Sequence, residues 1–515
     1  MSQKASARMI YELNVERVDR VRRLGQYYYA SDQSNFVKER FMKRVLFGGL
    51  ILMFFFTTAL SATMGNKVIV AKVGGKIRWS QVALGADGIA HLVFVEILDE
   101  DVRNPLFYVS YDGQQASSPI RLTRSLDTYA MQPHIAANSR GQIAVVWSEP
   151  RDDSIFMRVL DPQTKTWGIE ERVSNWGVDE PSVAIDKDGN IHVFFYDSGD
   201  GRCYVRSKIN GVWEREFLLS RGDIRCLQGN VALAKDGTVW ACWLQQAWVG
   251  GYAEYKTHYR KRLPNSTTWL PQSWVNETGE SQERPNIGVG PNGIPWVTWQ
   301  DVDPGENTQI AICKLDESSN SMELITGRWT QHYPRVAVDV NNNVHLAIPQ
   351  GAGDEGDGML YKNNLGGGWS AQELPGPWTK AGGISADDFG NVAVSCSAYY
   401  GADGSDVQLF SLEPISPKYF LPPINLAITV VMGSLKISPK ITYNLSWSTN
   451  PDNYDAYLNG YKIYMKENTG SYQLLTSVTK STFSQSFEFS DVSKKRNFAI
   501  STVNLGGGES VLVEF

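Results

Sequence analysis

The chain has 515 residues, of which 42% are hydrophobic and 20% are charged. This composition is that of a globular protein with a large core, and it excludes a disordered chain. The net charge of −6 excludes nucleic-acid binding driven by general basicity, and five cysteines exclude a scaffold built from disulfides. The 46 Gly and 16 Trp predict many short strands joined by tight turns.

An unbroken apolar run, VLFGGLILMFFFTTAL, lies at residues 45–60. Lys43 and Arg44 precede this run and small residues follow it, which is the pattern of a signal peptide. An uncleaved anchor is the alternative, although a membrane span needs about 20 apolar residues. The stretch before the run is long for a signal peptide, so Met42 is an alternative start to Met1. We expect residues 1–62 to be an N-terminal extension with a signal peptide.

Removal of residues 1–62 makes the remaining chain more acidic. That segment holds 10 Lys and Arg and 5 Asp and Glu, so residues 63–515 keep 39 basic and 50 acidic side chains, a net charge of −11. We expect this part to be exported to the periplasm, the cell surface or the medium, with no membrane span left after cleavage.

One motif recurs about every 50 residues along the chain. It consists of an apolar residue followed in most copies by Ala, then a turn with Asp or Asn that ends in Gly, and then an alternating apolar run that often ends in Trp or Phe. The copies are residues 82–94, 135–147, 183–195, 231–243, 287–299, 336–348 and 384–396. Each copy predicts a β-hairpin, in which Gly supplies the left-handed turn residue. Asn342 replaces Gly in the sixth copy, as expected for a residue that tolerates this conformation.

Further strands are predicted after several hairpins. Third strands are expected at 155–159, 204–208, 309–314 and 407–412, and Trp167, Trp213, Trp269 and Trp369 each open a fourth. Four strands per unit in seven copies predict a seven-bladed β-propeller over residues 63–412. The seventh copy lacks a fourth strand, and residues 67–73 are expected to supply it and close the ring.

A second domain is predicted after the Pro-rich linker 413–423. Segments around Trp447, at 461–464 and at 498–504 have the pattern of strands, and they resemble a fibronectin type III domain over residues 424–515. The predicted fold class is therefore all-β, a propeller followed by an immunoglobulin-like sandwich. Arg496 occupies the position where that family places a corner tyrosine, so we expect a different interaction to stabilise the corner.

The repeats resemble the sialidase-like, BNR-type propeller family over about residues 66–412. That family often carries an Asp-box, Ser-x-Asp-x-Gly-x-x-Trp, and the nearest match here, SKINGVW at 207–213, lacks the Asp. The resemblance implies the propeller architecture. It also implies an arginine triad and a tyrosine nucleophile for a sialidase, for which this chain offers Arg284, Arg335 and either Tyr399 or Tyr400.

Candidate site residues converge where first strands begin and second strands end, at the face that we call the mouth. Residues preceding the first strands are Trp79, Gln132, Glu180, Gln228, Arg284 and Tyr333. The weak catalytic candidates are Glu180, Asp197 and Asp301, which supply paired carboxylates for a glycosidase. The candidate ligand-binding residues are Trp79, Trp176, Trp248, Trp329, Trp378, Arg151 and Arg284.

No cofactor or metal site is expected. His91, His192 and His345 occupy one repeated slot on different blades, so they lie apart, and we expect structural roles for them. Cys203 and Cys226 lie toward the same end of adjacent blades, which leaves a disulfide between them open.

The predicted function is that of an exported, non-catalytic binding or adhesion protein whose mouth recognises a glycan or a surface protein. Trp faces stack on sugar rings, while carboxylates and arginines bind hydroxyl groups. Two alternatives stay open: a sialidase-like glycoside hydrolase acting through carboxylates of the same face, and a structural subunit of a surface assembly. The sequence does not indicate the ligand or the oligomeric state.

Overall fold

The computed structural model describes residues 63–515 except for 86, 99–102, 139–140, 163, 177–178, 221–223, 250–251, 276–280, 303–307, 317–320, 326–331, 351–357, 377–381, 388–389, 416–421, 434–438, 451–457, 505–509 and 511. The apolar run at 45–60, Trp329 and Trp378 therefore lie outside the described residues. Among the described residues, no helix combines the length and hydropathy needed to cross a membrane.

The described chain is all-β, and its first part consists of consecutive antiparallel sheets, numbered here in chain order. Sheet 1 contains β2 (Lys76–Leu84), β3 (Ala90–Ile97), β4 (Leu106–Tyr111) and β5 (Ile120–Arg121). Sheet 2 contains β6 (Met131–Ala137), β7 (Ile143–Glu149), β8 (Ser154–Leu160) and β9 (Glu171–Ser174). Sheet 3 contains β10 (Asp179–Ile185), β11 (Ile191–Asp197), β12 (Arg202–Ile209), β13 (Val212–Trp213) and β14 (Phe217–Leu218).

The next sheets repeat this order. Sheet 4 contains β15 (Cys226–Leu233), β16 (Val239–Val249), β17 (Tyr252–Arg262) and β18 (Ser273–Trp274). Sheet 5 contains β19 (Ser281–Val289), β20 (Pro295–Val302), β21 (Gln309–Lys314) and β22 (Ser321–Ile325). Sheet 6 contains β23 (Arg335–Val338), β24 (Val344–Gln350), β25 (Gly358–Asn363) and β26 (Ser370–Leu374).

Sheet 7 joins the two ends of this region. It contains β27 (Gly383–Ala386), β28 (Val392–Tyr399) and β29 (Ser405–Ser411), and a 3-10 turn at Gly401–Asp403 connects β28 to β29. Its fourth strand is β1 (Asn66–Val73), which pairs antiparallel with β29 from Asn66 opposite Ser411 to Val73 opposite Ser405. The predicted closing strand is therefore confirmed.

The hydrophobic cores lie between neighbouring sheets. One cluster combines Val145 and Trp147 of sheet 2 with Val93 of sheet 1, and equivalent clusters join each following pair of sheets. The last cluster joins Leu409 of sheet 7 to Phe94 of sheet 1. Because the cores follow one another in this cyclic order, the sheets form a closed, propeller-like ring.

The turns follow the sequence pattern. The hairpin glycines at 88, 141, 189, 237, 293 and 390 all have positive φ, and Asn342 has φ 64°. In several turns an Asp side chain completes the structure: Asp186 accepts hydrogen bonds from the amides of Asp188 and Asn190, both at 2.8 Å. The predicted role of the repeated Gly or Asn is thus confirmed.

The second part of the described chain has two sheets. One has the order β30 (Ile424–Met432), β31 (Ile441–Ser448) and β34 (Ser484–Phe489). The other has the order β33 (Gln473–Thr479), β32 (Leu458–Glu467), β35 (Arg496–Asn504) and β36 (Val513–Glu514). Trp447, Tyr461 and Phe498 lie in the core that the two sheets share.

Arg496 is buried at the edge of this core. Its Nη1 donates to the carbonyl oxygen of Asp491 at 2.7 Å, its Nε donates to Glu467 at 3.1 Å, and its guanidinium lies 4.1 Å from the centre of the Phe489 ring. The side chain therefore ties β35 back to the preceding turn.

Candidate ligand-binding site

The mouth is lined by a ring of residues with left-handed backbone. They occupy one equivalent position in successive sheets, on the first strand or just before it, and none of them is Gly. The residues and their φ angles are Trp79 (φ 52°), Gln132 (φ 46°), Glu180 (φ 46°), Gln228 (φ 28°), Arg284 (φ 53°) and Tyr333 (φ 45°). Most coincide with an irregularity in strand pairing, such as that between Arg78 and Gln81. Non-Gly residues in this conformation cost about 1 kcal/mol or more each, and such strain concentrates at functional sites.

Side chains of one sheet cap the unpaired amides of the next. The first strand of each sheet is an edge strand, so its outward N–H groups need acceptors. Gln132 Oε1 accepts from the Glu180 amide at 3.0 Å, and Gln228 Oε1 accepts from the Arg284 amide at 3.0 Å. Further along the strands, His134 Nδ1 accepts from the Val183 amide at 3.2 Å. The ring of left-handed residues is thereby fixed by contacts between sheets.

An ion pair lies at the centre of the mouth. Arg284 Nη1 contacts Glu180 Oε1, although the two residues are 104 positions apart in sequence. The Arg284 guanidinium also lies 4.2 Å from the centre of the Tyr333 ring, a cation–π contact. Trp79, Glu180, Arg284, Tyr333 and Arg335 line one depression of about 40 Å³, which has room for a single functional group of a larger ligand.

Burial changes the pKa values of Glu180, Arg335 and His134, which line the depression. It raises the pKa of Glu180 above its usual value, although Arg284 and Arg335 act in the opposite direction. Burial also lowers the pKa of Arg335 and lowers that of His134 to about 3, so His134 is neutral at physiological pH. The Arg335 Nε atom is buried and makes no hydrogen bond to any described residue. The depression therefore offers a desolvated cation and an acceptor carboxylate side by side.

Two of the predicted tryptophans have exposed rings. Trp176 is 48% exposed and lies in the loop before β10; Trp248 is 73% exposed near the end of β16. The hairpin that carries Trp248 is unusually long, because β16 and β17 have 11 residues each. Its last four residue pairs extend beyond the pairing of β15, which ends with Cys226 opposite Gln245. Trp248 therefore stands on a projecting two-stranded arm.

The other predicted residues lie outside the depression. Asp197 ends β11, where its carboxylate accepts the amide of Gly199 at 2.8 Å, and Asp301 lies on β20 opposite Gln282. Arg151 is exposed, with its guanidinium 5.2 Å from the centre of the Tyr129 ring. Of the three catalytic candidates, the structure thus brings only Glu180 into the depression.

Two residues of the depression were named from the sequence only in passing: Tyr333 among the residues that precede first strands, and Arg335 among the arginines that the resemblance implies. Arg335 and Tyr333 line it together with Glu180 and Arg284. The available signal was positional, since Tyr333 precedes a Pro as Glu180 and Arg284 do. Tyr399 and Tyr400, the tyrosines suggested by the resemblance, lie at the end of β28 and do not line the depression.

A larger cavity of about 730 Å³ lies at the opposite face, among the hairpin turns. Carboxylates line it, but Asp186, Asp236, Asp339 and Asp387 accept hydrogen bonds from the amides of their own turns. Among the described residues, no group of three or more His, Cys, Asp or Glu is placed to hold a metal ion. These carboxylates have a structural role in the turns.

The repeated histidines are buried within their own sheets. His91 and His345 each hydrogen-bond a tyrosine hydroxyl at 2.7 Å, that of Tyr108 and that of Tyr361, and His192 bonds the Ser207 hydroxyl at 2.8 Å. These contacts account for the three histidines as structural residues.

Comparison with known proteins gives structural neighbours of low sequence identity and no family. A scan against protein-family models and a search of curated proteins found no match. A solved fungal alcohol oxidase in complex with copper is 13% identical with a TM-score of 0.47, over 88% of this chain and 99% of that one. An ulvan lyase is 11% identical with a TM-score of 0.45, over 68% and 100%. The NanB sialidase from Streptococcus pneumoniae is 11% identical with a TM-score of 0.39, over 67% and 70%.

Proposed function

We propose that this chain is an exported glycan-binding protein that holds its ligand at the mouth of a seven-bladed propeller without cleaving it. The propeller comprises residues 63–412, and the linker 413–423 leads to a fibronectin type III domain at 424–515. Sheets 1–7 are its blades, and the cyclic sharing of cores between them supports this assignment. The division of β30–β36 into three-stranded and four-stranded sheets supports the second domain.

The convergence of Glu180, Arg284, Arg335 and Tyr333 in one depression carries the proposal. Charged donors and an acceptor, partly desolvated and held by strained backbone, suit the hydroxyl and acidic groups of a sugar. Trp176 and Trp248 add exposed aromatic faces on the same side of the ring, and such faces stack on the apolar side of pyranose rings. Binding rather than cleavage is favoured because Glu180 is engaged by Arg284 and neither Asp197 nor Asp301 joins it.

Glycan-array binding followed by titration of the best ligand tests the proposal. We expect Trp248→Ala to weaken binding roughly 5- to 30-fold, since a stacked aromatic contributes about 1–2 kcal/mol. Trp274→Ala is the matched control, because Trp274 is 51% exposed on the outer strand β18. Equal losses in both variants, or no loss with Trp248→Ala and Arg284→Ala, would show that the ligand binds elsewhere.

A sialidase-like hydrolase is the second candidate, and one observation favours it. Tyr333 lies beside Glu180 and two arginines, which are the residue types that the family resemblance implies. Prolonged incubation with the bound glycan, followed by product analysis, distinguishes the two functions. Cleavage that is lost in Tyr333→Phe while binding persists would establish the hydrolase and overturn the non-catalytic proposal.

A structural subunit of a surface assembly is the third reading of the same chain. In that case the purified protein would bind no glycan on the array, and a surface protein would be recovered with it instead. Loss of that partner in Trp248→Ala, with retention in Trp274→Ala, would still place the interaction at the mouth.

A further inference from the structure

Two cysteines of neighbouring sheets meet in the interior. Cys203 lies on β12 of sheet 3 and Cys226 is the first residue of β15 in sheet 4. The Cys226 amide donates to the carbonyl oxygen of Gly201 at 2.6 Å, and the Cys203 thiol donates to the carbonyl oxygen of Leu227 at 3.5 Å. The two chain segments are therefore held together on both sides of the thiols.

Both thiols are fully buried in the core cluster that sheets 3 and 4 share, where the Cys226 thiol donates to the carbonyl oxygen of Ile224 at 3.4 Å. Burial raises the pKa of Cys203, whereas the neighbouring Cys203 thiol lowers the pKa of Cys226. Cys226 is consequently the thiol of this pair that ionises first. The thiolate is the nucleophile in disulfide exchange, so Cys226 is the attacking group.

The remaining cysteines differ from this pair. Cys242, Cys313 and Cys396 lie within strands β16, β21 and β28, and all three are buried. Burial raises the pKa values of Cys242 and Cys313 to about 12 and that of Cys396 still further, which keeps them as thiols.

We propose that Cys203 and Cys226 form a disulfide that links β12 to β15 across the boundary between sheets 3 and 4. The oxidant is a low-molecular-weight disulfide such as oxidised glutathione. The Cys226 thiolate attacks one glutathione sulfur and releases one glutathione thiolate; Cys203 then attacks the mixed disulfide and releases the second. Both thiol protons end on the two reduced glutathione molecules, so the exchange balances. The reaction takes place during closure of the interface, when the two thiols already lie together and the oxidant still reaches them, since both sulfurs are buried afterwards.

The test is to unfold the purified full-length protein, refold it in oxidised and reduced glutathione, and count thiols under denaturing conditions. We expect five thiols after reduction and three after oxidation, with one linked peptide pair containing Cys203 and Cys226 in the mass spectrum. The oxidised form should melt roughly 3–6 °C higher, because the cross-link closes a loop of roughly 20 residues in the unfolded chain.

Cysteine variants identify the pair. Cys396→Ser should fall from four thiols to two, whereas Cys203→Ser should keep four. If Cys203→Ser does not fold, the peptide map of the wild-type protein decides alone. Five thiols after full equilibration with the oxidant, or a linkage that involves Cys242, Cys313 or Cys396, would overturn the proposal.

Discussion

Glu149 makes the stability of this protein depend on pH in a way that one substitution can isolate. The residue ends β7 and is only 4% exposed. Its Oε1 accepts the Tyr129 amide at 2.6 Å, while its Oε2 is buried without a hydrogen bond to any described residue. Burial raises the pKa of Glu149 to about 7, and Asp152 adds to this effect, although the Tyr129 amide, Arg124 and Arg151 oppose it.

The sign follows from proton linkage. The folded protein binds the Glu149 proton more tightly than the unfolded chain does. Proton binding therefore contributes fully to the free energy of unfolding below the unfolded pKa of 4.5, and this contribution is lost as the pH rises to about 7. The shift from 4.5 to about 7 corresponds to a loss of about 3 kcal/mol. Glu149→Gln resembles the protonated acid in shape and charge, and it should escape this loss.

Urea unfolding followed by Trp fluorescence at a series of pH values from 4 to 8 measures the effect. Subtraction of the wild-type curve from that of Glu149→Gln cancels the other titrating groups. The free energy of unfolding of Glu149→Gln minus that of the wild type should rise by about 3 kcal/mol, most of it between pH 4.5 and 7. A difference that changes by less than about 1 kcal/mol across this range would refute the inference that the buried carboxyl is protonated in the folded protein.

Three further substitutions test the fold. Gly189→Ala should lower the free energy of unfolding by about 1–2 kcal/mol, because φ is 85° there and a Cβ would lie 2.9 Å from Gln142 Oε1; chemical denaturation measures this. Asn342→Gly should change the free energy of unfolding by less than about 0.5 kcal/mol, since the turn at φ 64° suits both residues. A larger decrease would show that the hydrogen bond from the Asn292 amide to the Asn342 side chain stabilises the turn. Arg496→Ala should lower the free energy of unfolding by about 2–3 kcal/mol in chemical denaturation, because the buried guanidinium loses its hydrogen bond to the Asp491 carbonyl oxygen and its contact with the Phe489 ring. An unchanged stability would contradict the role assigned to Arg496.

Local rules predicted most of the strand pattern. The alternation of apolar residues and the Gly or Asn at each turn depend only on neighbours in sequence, and residues such as Gly189 and Asn342 adopt the expected conformation. The closing strand was predictable for a different reason. Once the repeats were counted, the last unit lacked a strand and an unpaired one preceded the first.

The site could be predicted only in part. The repeats located the residues that converge at the mouth, and Trp79, Glu180 and Arg284 do line the depression. The repeats could not show how equivalent side chains are used. Arg335 and His134 occupy the same position on different sheets and both line the depression, but His134 caps a backbone amide, whereas Arg335 Nε makes no hydrogen bond to any described residue. They also could not show burial, and the carboxyl group of Glu149 at the end of β7 is enclosed.

The pairing of β1 with β29 has a consequence for biosynthesis. Asn66 and Ser411 are 345 residues apart, so the first strand of the ring waits unpaired until nearly the whole ring has been synthesised. Contacts of such long range slow folding, and the waiting edge can pair with another chain in the meantime. Lys67 and Lys72 lie on this strand, and charged residues of this kind discourage pairing between chains. Replacing both by threonine should leave the finished ring unchanged and lower the yield of monomer recovered on refolding.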